Sequence, residues 1–320
     1  MVTSHGSRLG RWAASSAFAL IVDALIGDEP LRPHPVAMFG KAMIALEGRM
    51  WQDRRLAGIG YTVSGIGAAA VAGNVLERVP GGAVAAGYAA VAGRGLWGSG
   101  RAVGSALEAG DIAAARRMLP ALVGRDPARL SPSEIARAAV ESVAENTVDG
   151  IVAPALFTAI GGARGALVYR SINTLDSMVG YRNRRYERFG WASARVDDVA
   201  NFVPARVTAV LVAVVRPSAV REICDAVRRD APSHPSPNAG VAEAAFAAAL
   251  GLRLGGTSSY GGKLEDRPPL GPVDGRVPEA HDIAAAIRCS QHVTMALFGV
   301  LAAAAALCRA GASNGEERPR

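Results

Sequence analysis

Apolar runs long enough to enter a membrane alternate along this chain with dense polar ones. The first apolar run is Trp12–Ile26, behind Arg8 and Arg11. Leu56–Gly73 and Gly82–Trp97 follow, both rich in Gly and Ala, with small residues four apart at Gly60, Ser64 and Ala68. Such spacing lets helix backbones approach closely. Ile151–Val168 is broken by Gly161, Gly162 and Gly165, Val203–Val215 is short and contains Arg206, and Gln291–Cys308 comes last. Most lie near the lower length limit for a spanning helix, which is about 20 residues. Strand-type alternation is scarce. The pattern predicts a mainly α, polytopic helical integral membrane protein with about five spanning helices. Trp12–Ile26 has the look of a secretion leader, but Asp23 interrupts its end and no small-residue cleavage site follows, so it is read as a retained span.

Residues 98–140 are helical in pattern and rich in arginine: Arg101, Arg116, Arg117, Arg125, Arg129 and Arg137. The positive-inside rule places such a segment in the cytoplasm. Residues 98–150 and 170–202 read as polar cytoplasmic helical segments of one membrane domain, 1–310, followed by a polar disordered tail at 311–320. The region 217–290 reads as loop-rich, with many Pro and Gly.

Charge narrows the partners. The net charge is +7, and Lys41 and Lys263 are the only lysines. Mean hydropathy is +0.19, as a chain that mixes spans with large polar loops gives. No nucleic-acid module and no basic stripe with aromatics is present, which excludes nucleic acid as a partner. Anionic lipid and anionic small substrates remain. Cys224, Cys289 and Cys308 are far apart and form no metal or redox pair.

The chemistry concentrates between Glu141 and Arg206. Ser131 and Glu134 form a capping box with Pro132 at the first helical position, so a helix starts there and ends near Asp149-Gly150. On it Glu134, Glu141, Glu145 and Asp149 share a sector, opposite Ile135, Ala139, Val140, Val143 and Thr147. A row of carboxylates repels itself unless cations sit opposite. Mg²⁺ held by Glu141, Glu145 and Asp149 with substrate phosphates removes that repulsion, with Asn146 alongside; a solvated acidic face is the plainer reading. The second cluster is Asn173, Asp176, Tyr181, Arg182, Asn183, Arg185 and Tyr186, whose guanidinium groups suit phosphate or carboxylate. The third is Asp197, Asp198, Asn201 and Arg206. Asp28 and His34 lie on a Pro-punctuated loop, and Asn238 stands where it can cap a helix starting near Ala239. GGTSSYGGK fails as a phosphate loop, because Thr257 replaces its first Gly and Leu264 its Ser/Thr.

The segments GDEPLRPHPV, ESVAENTVDGIVAP, YRSINTLDSMVGYRNRRYERFGWASARVDDVANFVPAR, SPNAG and LGGTSSYGG keep the order and spacing of one family. The chain resembles the CobD/CbiB proteins of cobalamin biosynthesis, the adenosylcobinamide-phosphate synthases, over roughly residues 15–300. One departure is Val241-Ala242, where the family usually has Trp-Pro. The resemblance implies a multi-pass cell-membrane enzyme, its site facing the cytoplasm. It implies amide ligation of adenosylcobyric acid to (R)-1-amino-2-propanol or its O-phosphate, with ATP and Mg²⁺ as cofactors and the corrinoid as substrate. On that footing Glu141, Glu145, Asp176, Asp197 and Asp198 are the catalytic candidates. Asn146, Asn173, Tyr181, Arg182, Asn183, Arg185, Tyr186, Asn201, Arg206, His34, Asp28 and Asn238 are the binding candidates. Partners are the lipid bilayer and the two substrates, with other enzymes of the pathway and self-association left open. A corrinoid-binding scaffold and a transport or signalling protein on the same helices are the competing classes.

Overall fold

The computed structural model describes residues 2–27, 33–124, 127–260 and 263–316; Asp28, a binding candidate, lies outside them. In chain order the helices are α1 (Val2–Ile26), α2 (Pro35–Met50), α3 (Arg55–Leu76), α4 (Gly82–Ala90), α5 (Gly93–Glu108) and α6 (Ile112–Met118). Then come α7 (Pro132–Thr147), a π-turn at Val148–Val152, α8 (Ala153–Val179), α9 (Trp191–Ala200), α10 (Phe202–Val215), α11 (Val220–Asp230) and α12 (Ala239–Leu250). Strands β1 (Leu254–Tyr260) and β2 (Lys263–Leu270) form an antiparallel hairpin, and α13 (Ala280–Glu316) closes the chain.

Among the described residues, four stretches are long and apolar enough to cross a membrane: Arg8–Ile26, Arg55–Leu76, Pro132–Val179 and Ala280–Gly311. The α9–α10 pair, bent by 41°, makes a fifth if counted as one span. The mainly helical, polytopic class therefore holds. Two local expectations do not. Gly82–Trp97 is divided at Val91-Ala92 into α4 and α5, and neither half has the length of a span. The region 217–290 is ordered into α11, α12 and the hairpin instead of loops. The register runs from Leu254↔Leu270 to Tyr260↔Lys263, with a bulge between Leu254 and Gly256.

The chain divides into two compact units: residues 1–92, 153–201 and 297–320, and residues 93–152 and 202–296. In the first, Met43, Tyr61, Leu175, Val179 and Phe189 form a core cluster. Of the three glycines in the fourth apolar run, only Gly162 leaves helical geometry, at φ +58. Glu77 mends the break. Its carboxylate accepts from the Ala163 N–H at 2.6 Å and from the Trp12 indole at 2.6 Å. A broken helix in an apolar setting needs such a partner for its freed N–H groups. Backbones approach closely where the 181–190 segment meets α3 and the end of α8. A Cβ at Gly58 would stand 1.8 Å from the Phe189 carbonyl oxygen, and one at Gly190 would stand 1.7 Å from that of Val179. Gly190→Ala is therefore expected to destabilise the fold by about 3 kcal/mol. An unchanged melting temperature in detergent would contradict this packing.

In the second unit α7 is enclosed almost all round. Ile135, Ala139, Val140, Val143 and Thr147 are buried as their face predicts, and so are Ala136, Ala138, Ala144 and Glu141. The capping box at Ser131 forms as read. Thr147 donates to Ser290 at 2.8 Å, and Trp97 donates to the same hydroxyl at 3.0 Å. These bonds tie α5, α7 and α13 together.

Candidate functional site

The first unit assembles the middle of the polar motif into one network. Tyr169 and Asn173 come from α8, and Asp197, Asp198 and Asn201 from the end of α9. The Tyr169 hydroxyl donates to Asn201 Oδ1 at 2.9 Å, and Asn201 Nδ2 donates to Asp197 Oδ2 at 3.0 Å. Asn201 is fully enclosed, so these bonds fix its amide with the nitrogen towards the acid. Asp176, Asp198 and Asn173 all act on the Asp197 carboxylate. Asp197 Oδ1 is shut off from solvent and has no hydrogen-bond partner among the described residues. A buried carboxylate with one oxygen short of a well-formed hydrogen bond, in the field of a second acid, suits a cation. Asp198 is engaged elsewhere, with Arg195 Nη1 at 3.0 Å.

Tyr181 follows α8 with its ring half exposed. Burial of the hydroxyl end, then the charge of Asp176, then Tyr186, hold its phenol above the ordinary value, so it stays a neutral donor. Next on the chain, Asn183 Oδ1 accepts from the N–H groups of Arg185 and Tyr186, each at 3.0 Å, and fixes the turn. Arg185 Nη2 and the Tyr186 hydroxyl both donate to Glu47 Oε1 at 2.9 Å. The Arg185 guanidinium also lies 4.9 Å from the centre of the Trp51 ring. Arg185 and Tyr186, two of the binding candidates, thus hold this loop to α2, while Arg182, Arg184 and Arg188 stay exposed. On either side of Asn173, Arg170 and Thr174 line an apolar cleft of about 300 Å³ walled by Phe39, Ala69 and Leu167.

The second unit holds two further arrangements. Arg206 donates to Asn238 Oδ1 at 3.0 Å and lies 3.6 Å from the centre of the Phe202 ring. Asn238 therefore does not cap α12 with its side chain. Ser236 Oγ does that work, accepting from the Ala239 N–H at 3.1 Å. The other arrangement surrounds Glu141, whose Oε1 accepts from the Gly255 N–H at 3.0 Å with Arg137 Nε 4.0 Å away. His234 and Glu243 are enclosed in the same unit, His234 Nε2 lying 3.8 Å from Glu243 Oε2. Burial holds the His234 imidazole below its ordinary value, and Glu141 and Arg267 act on it electrostatically.

The sequence-level acid row on α7 is accordingly dispersed. Glu141 is buried at 2%, Glu145 is exposed, and Asp149 sits in the π-turn. Asn146 donates back to the Ser142 carbonyl at 2.9 Å. Among the described residues, no three of His, Cys, Asp and Glu gather as a metal-holding group. His34 caps α2, its Nδ1 accepting from the Val36 N–H at 3.2 Å. The sequence reading missed Tyr169, Arg170, Glu47, His234 and Glu243. Arg170 and Glu243 carried a signal, since each is an ionisable residue inside an apolar helix, and such residues mark sites or buried pairs.

Membrane-length helices that enclose a carboxylate–carboxamide network define a multi-pass membrane protein with a built polar site. Residues 16–290 match the CobD/Cbib protein family. The chain belongs to this family, the amide-forming ligases of cobalamin biosynthesis. It is 49% identical over 282 residues to the cobalamin biosynthesis protein CobD of Mycobacterium tuberculosis, covering 85% of this chain and 89% of the relative. The CobD of Geobacter metallireducens is 45% identical over 80% of this chain and 86% of its own length. The CobD of Pelobacter propionicus is 41% identical over 92% and 95%. No solved structure matches the chain.

Proposed function

We propose that this protein joins adenosylcobyric acid to aminopropanol or its phosphate, and that the Asp176–Asp197 network handles the amine. The observation that supports this is the enclosed Asp197 carboxylate, one oxygen of which makes no well-formed hydrogen bond, lying in the field of Asp176. Either an ammonium group or Mg²⁺ satisfies such a pair. An amine attacks an acyl carbon only after losing its extra proton, and a carboxylate beside a second carboxylate is well placed to accept that proton. Tyr169 and Asn201 keep Asp197 oriented. Tyr181, a neutral hydroxyl beside Asp176, suits a hydroxyl or amide group of the substrate.

A carboxylate does not condense with an amine unaided. ATP with Mg²⁺, when bound, supplies the activation of the corrin carboxylate. With Mg²⁺ in place of the ammonium, Asp176, Asp197 and Asn173 are the residues that would hold it, since two acids with an adjacent carboxamide fit Mg²⁺ that keeps phosphate and water as its other ligands. This moves the metal role from Glu141, Glu145 and Asp149 to α8 and α9. Exposed Arg182, Arg184 and Arg188 next to α8 are the cations expected on the cytoplasmic side, and they support a site that opens there.

The test is a product assay on detergent-purified protein with adenosylcobyric acid, aminopropanol phosphate and Mg-ATP. Product mass with matching ADP is expected, and leaving out either ATP or Mg²⁺ is expected to stop it. Corrinoid binding without product under all these conditions would overturn the reading in favour of a scaffold.

A further inference from the structure

In the second unit, α10 and α11 enclose a surface groove of about 550 Å³ that none of the Asp176–Asp197 network lines. The pattern of α11 explains its walls. Val220, Ile223, Cys224 and Val227 recur at helical spacing and line the groove, while Arg221, Glu222, Asp225 and Arg229 are exposed on its other sides. Facing them, α10 presents Val210 and Val214, both exposed. The arginines at the rim differ. Arg206 is held by Asn238, whereas Arg228 is exposed and makes no ion pair among the described residues. The neighbouring Arg229 is already spent on Asp230.

We propose that this groove binds an anionic phospholipid of the surrounding bilayer, with an acyl chain between α10 and α11 and the phosphate at Arg228. Hydrocarbon walls with cations at the mouth that no acid neutralises, Arg228 and Arg206 (the latter hydrogen-bonded only to neutral groups), match an amphiphile with an anionic head. An amphipathic helix whose polar face carries Arg221, Arg228 and Arg229, beside a short apolar one, is an arrangement suited to a membrane surface. A second copy of the chain fits less well, because a two-fold contact through this face would set the same arginines against each other.

Cys224 reports on the groove directly. It is exposed, whereas Cys289 is buried. The full-length protein in non-ionic detergent would be treated with a maleimide, and alkylation of Cys224 would be followed by peptide mass spectrometry. Phosphatidylglycerol at about ten times its Kd is expected to slow the reaction about tenfold. Phosphatidylcholine and inorganic phosphate are expected to leave it unchanged. Arg228→Ala is expected to weaken protection about fivefold, and Val214→Trp, which fills the groove, to abolish it. Native mass spectrometry should show the matching loss of bound lipid. Equal protection by phosphatidylcholine, or protection by phosphate alone, would overturn the proposal. So would protection that grows with protein concentration in the absence of lipid, which would assign the face to self-association.

Discussion

Asp197→Asn is expected to lower turnover by about two to four orders of magnitude while the fold survives. The amide keeps the shape of the carboxylate, and Asn201 with Tyr169 still forms the neighbouring pair. What disappears is the charge beside Asp176, and with it the capacity to accept a proton or hold a cation. Asp176→Asn should cost a similar factor, and the double variant little more than either single one, since paired groups act as a unit. Asp198→Asn should cost less, because Arg195 already holds that carboxylate at 3.0 Å. Initial rates of product formation, with melting temperature as the control, separate these outcomes. Near-normal turnover in both Asp176→Asn and Asp197→Asn would remove the network from the reaction. A loss confined to Asp198→Asn would move the chemistry to the Arg195 pair.

The contrast between the two acid clusters shows what a sequence can carry. On α8 and α9 the acids and amides stand three and four apart on neighbouring helices, and helical spacing brings Asn173 with Asp176, and Asp197 with Asn201, onto shared faces. Each pair was legible from spacing within its own helix, whereas the meeting of the two helices was not, because periodicity says nothing of a helix's partner. On α7 the same spacing argument placed Glu141 with Glu145 and Asp149, and among the described residues these three do not gather as a metal-holding group. Two features invisible to periodicity cause this. α7 ends at Thr147 and passes into a π-turn at Val148–Val152, so Asp149 lies beyond the α-helical repeat on which the row was read. The hairpin, 114 residues away in sequence, takes Glu141 through the Gly255 amide. The partnership of Arg185 with Glu47, 138 residues earlier, is equally long-range. The first two spans were readable to within a few residues because apolar length is a local property, whereas the later ones begin more than ten residues before their apolar runs. The division of Gly82–Trp97 was not readable, because Val91-Ala92 is as apolar as its flanks.

Glu141→Ala is expected to destabilise the protein by roughly 3–5 kcal/mol. Glu141 is 2% exposed on a helix enclosed almost all round, so nothing in water can take its place. Its Oε1 is the acceptor for the Gly255 N–H, and Gly255 sits at φ +82 within the hairpin's bulge, where another residue type would be strained. The substitution leaves that amide enclosed without an acceptor and withdraws the acid from Arg137 and His234. Glu141→Gln restores an acceptor of the same shape and should cost about 1–2 kcal/mol. Thermal midpoints in detergent rank the two, and hydrogen exchange at the Gly255 amide should quicken in the alanine variant first. The pair also decides between a structural and a catalytic Glu141. If Glu141→Gln melts like the parent yet makes no product, the carboxylate belongs to the reaction, and the metal role first read from the α7 acid row returns to it. If turnover survives in Glu141→Gln while Glu141→Ala unfolds at lower temperature, the buried acid is there to hold the hairpin to α7.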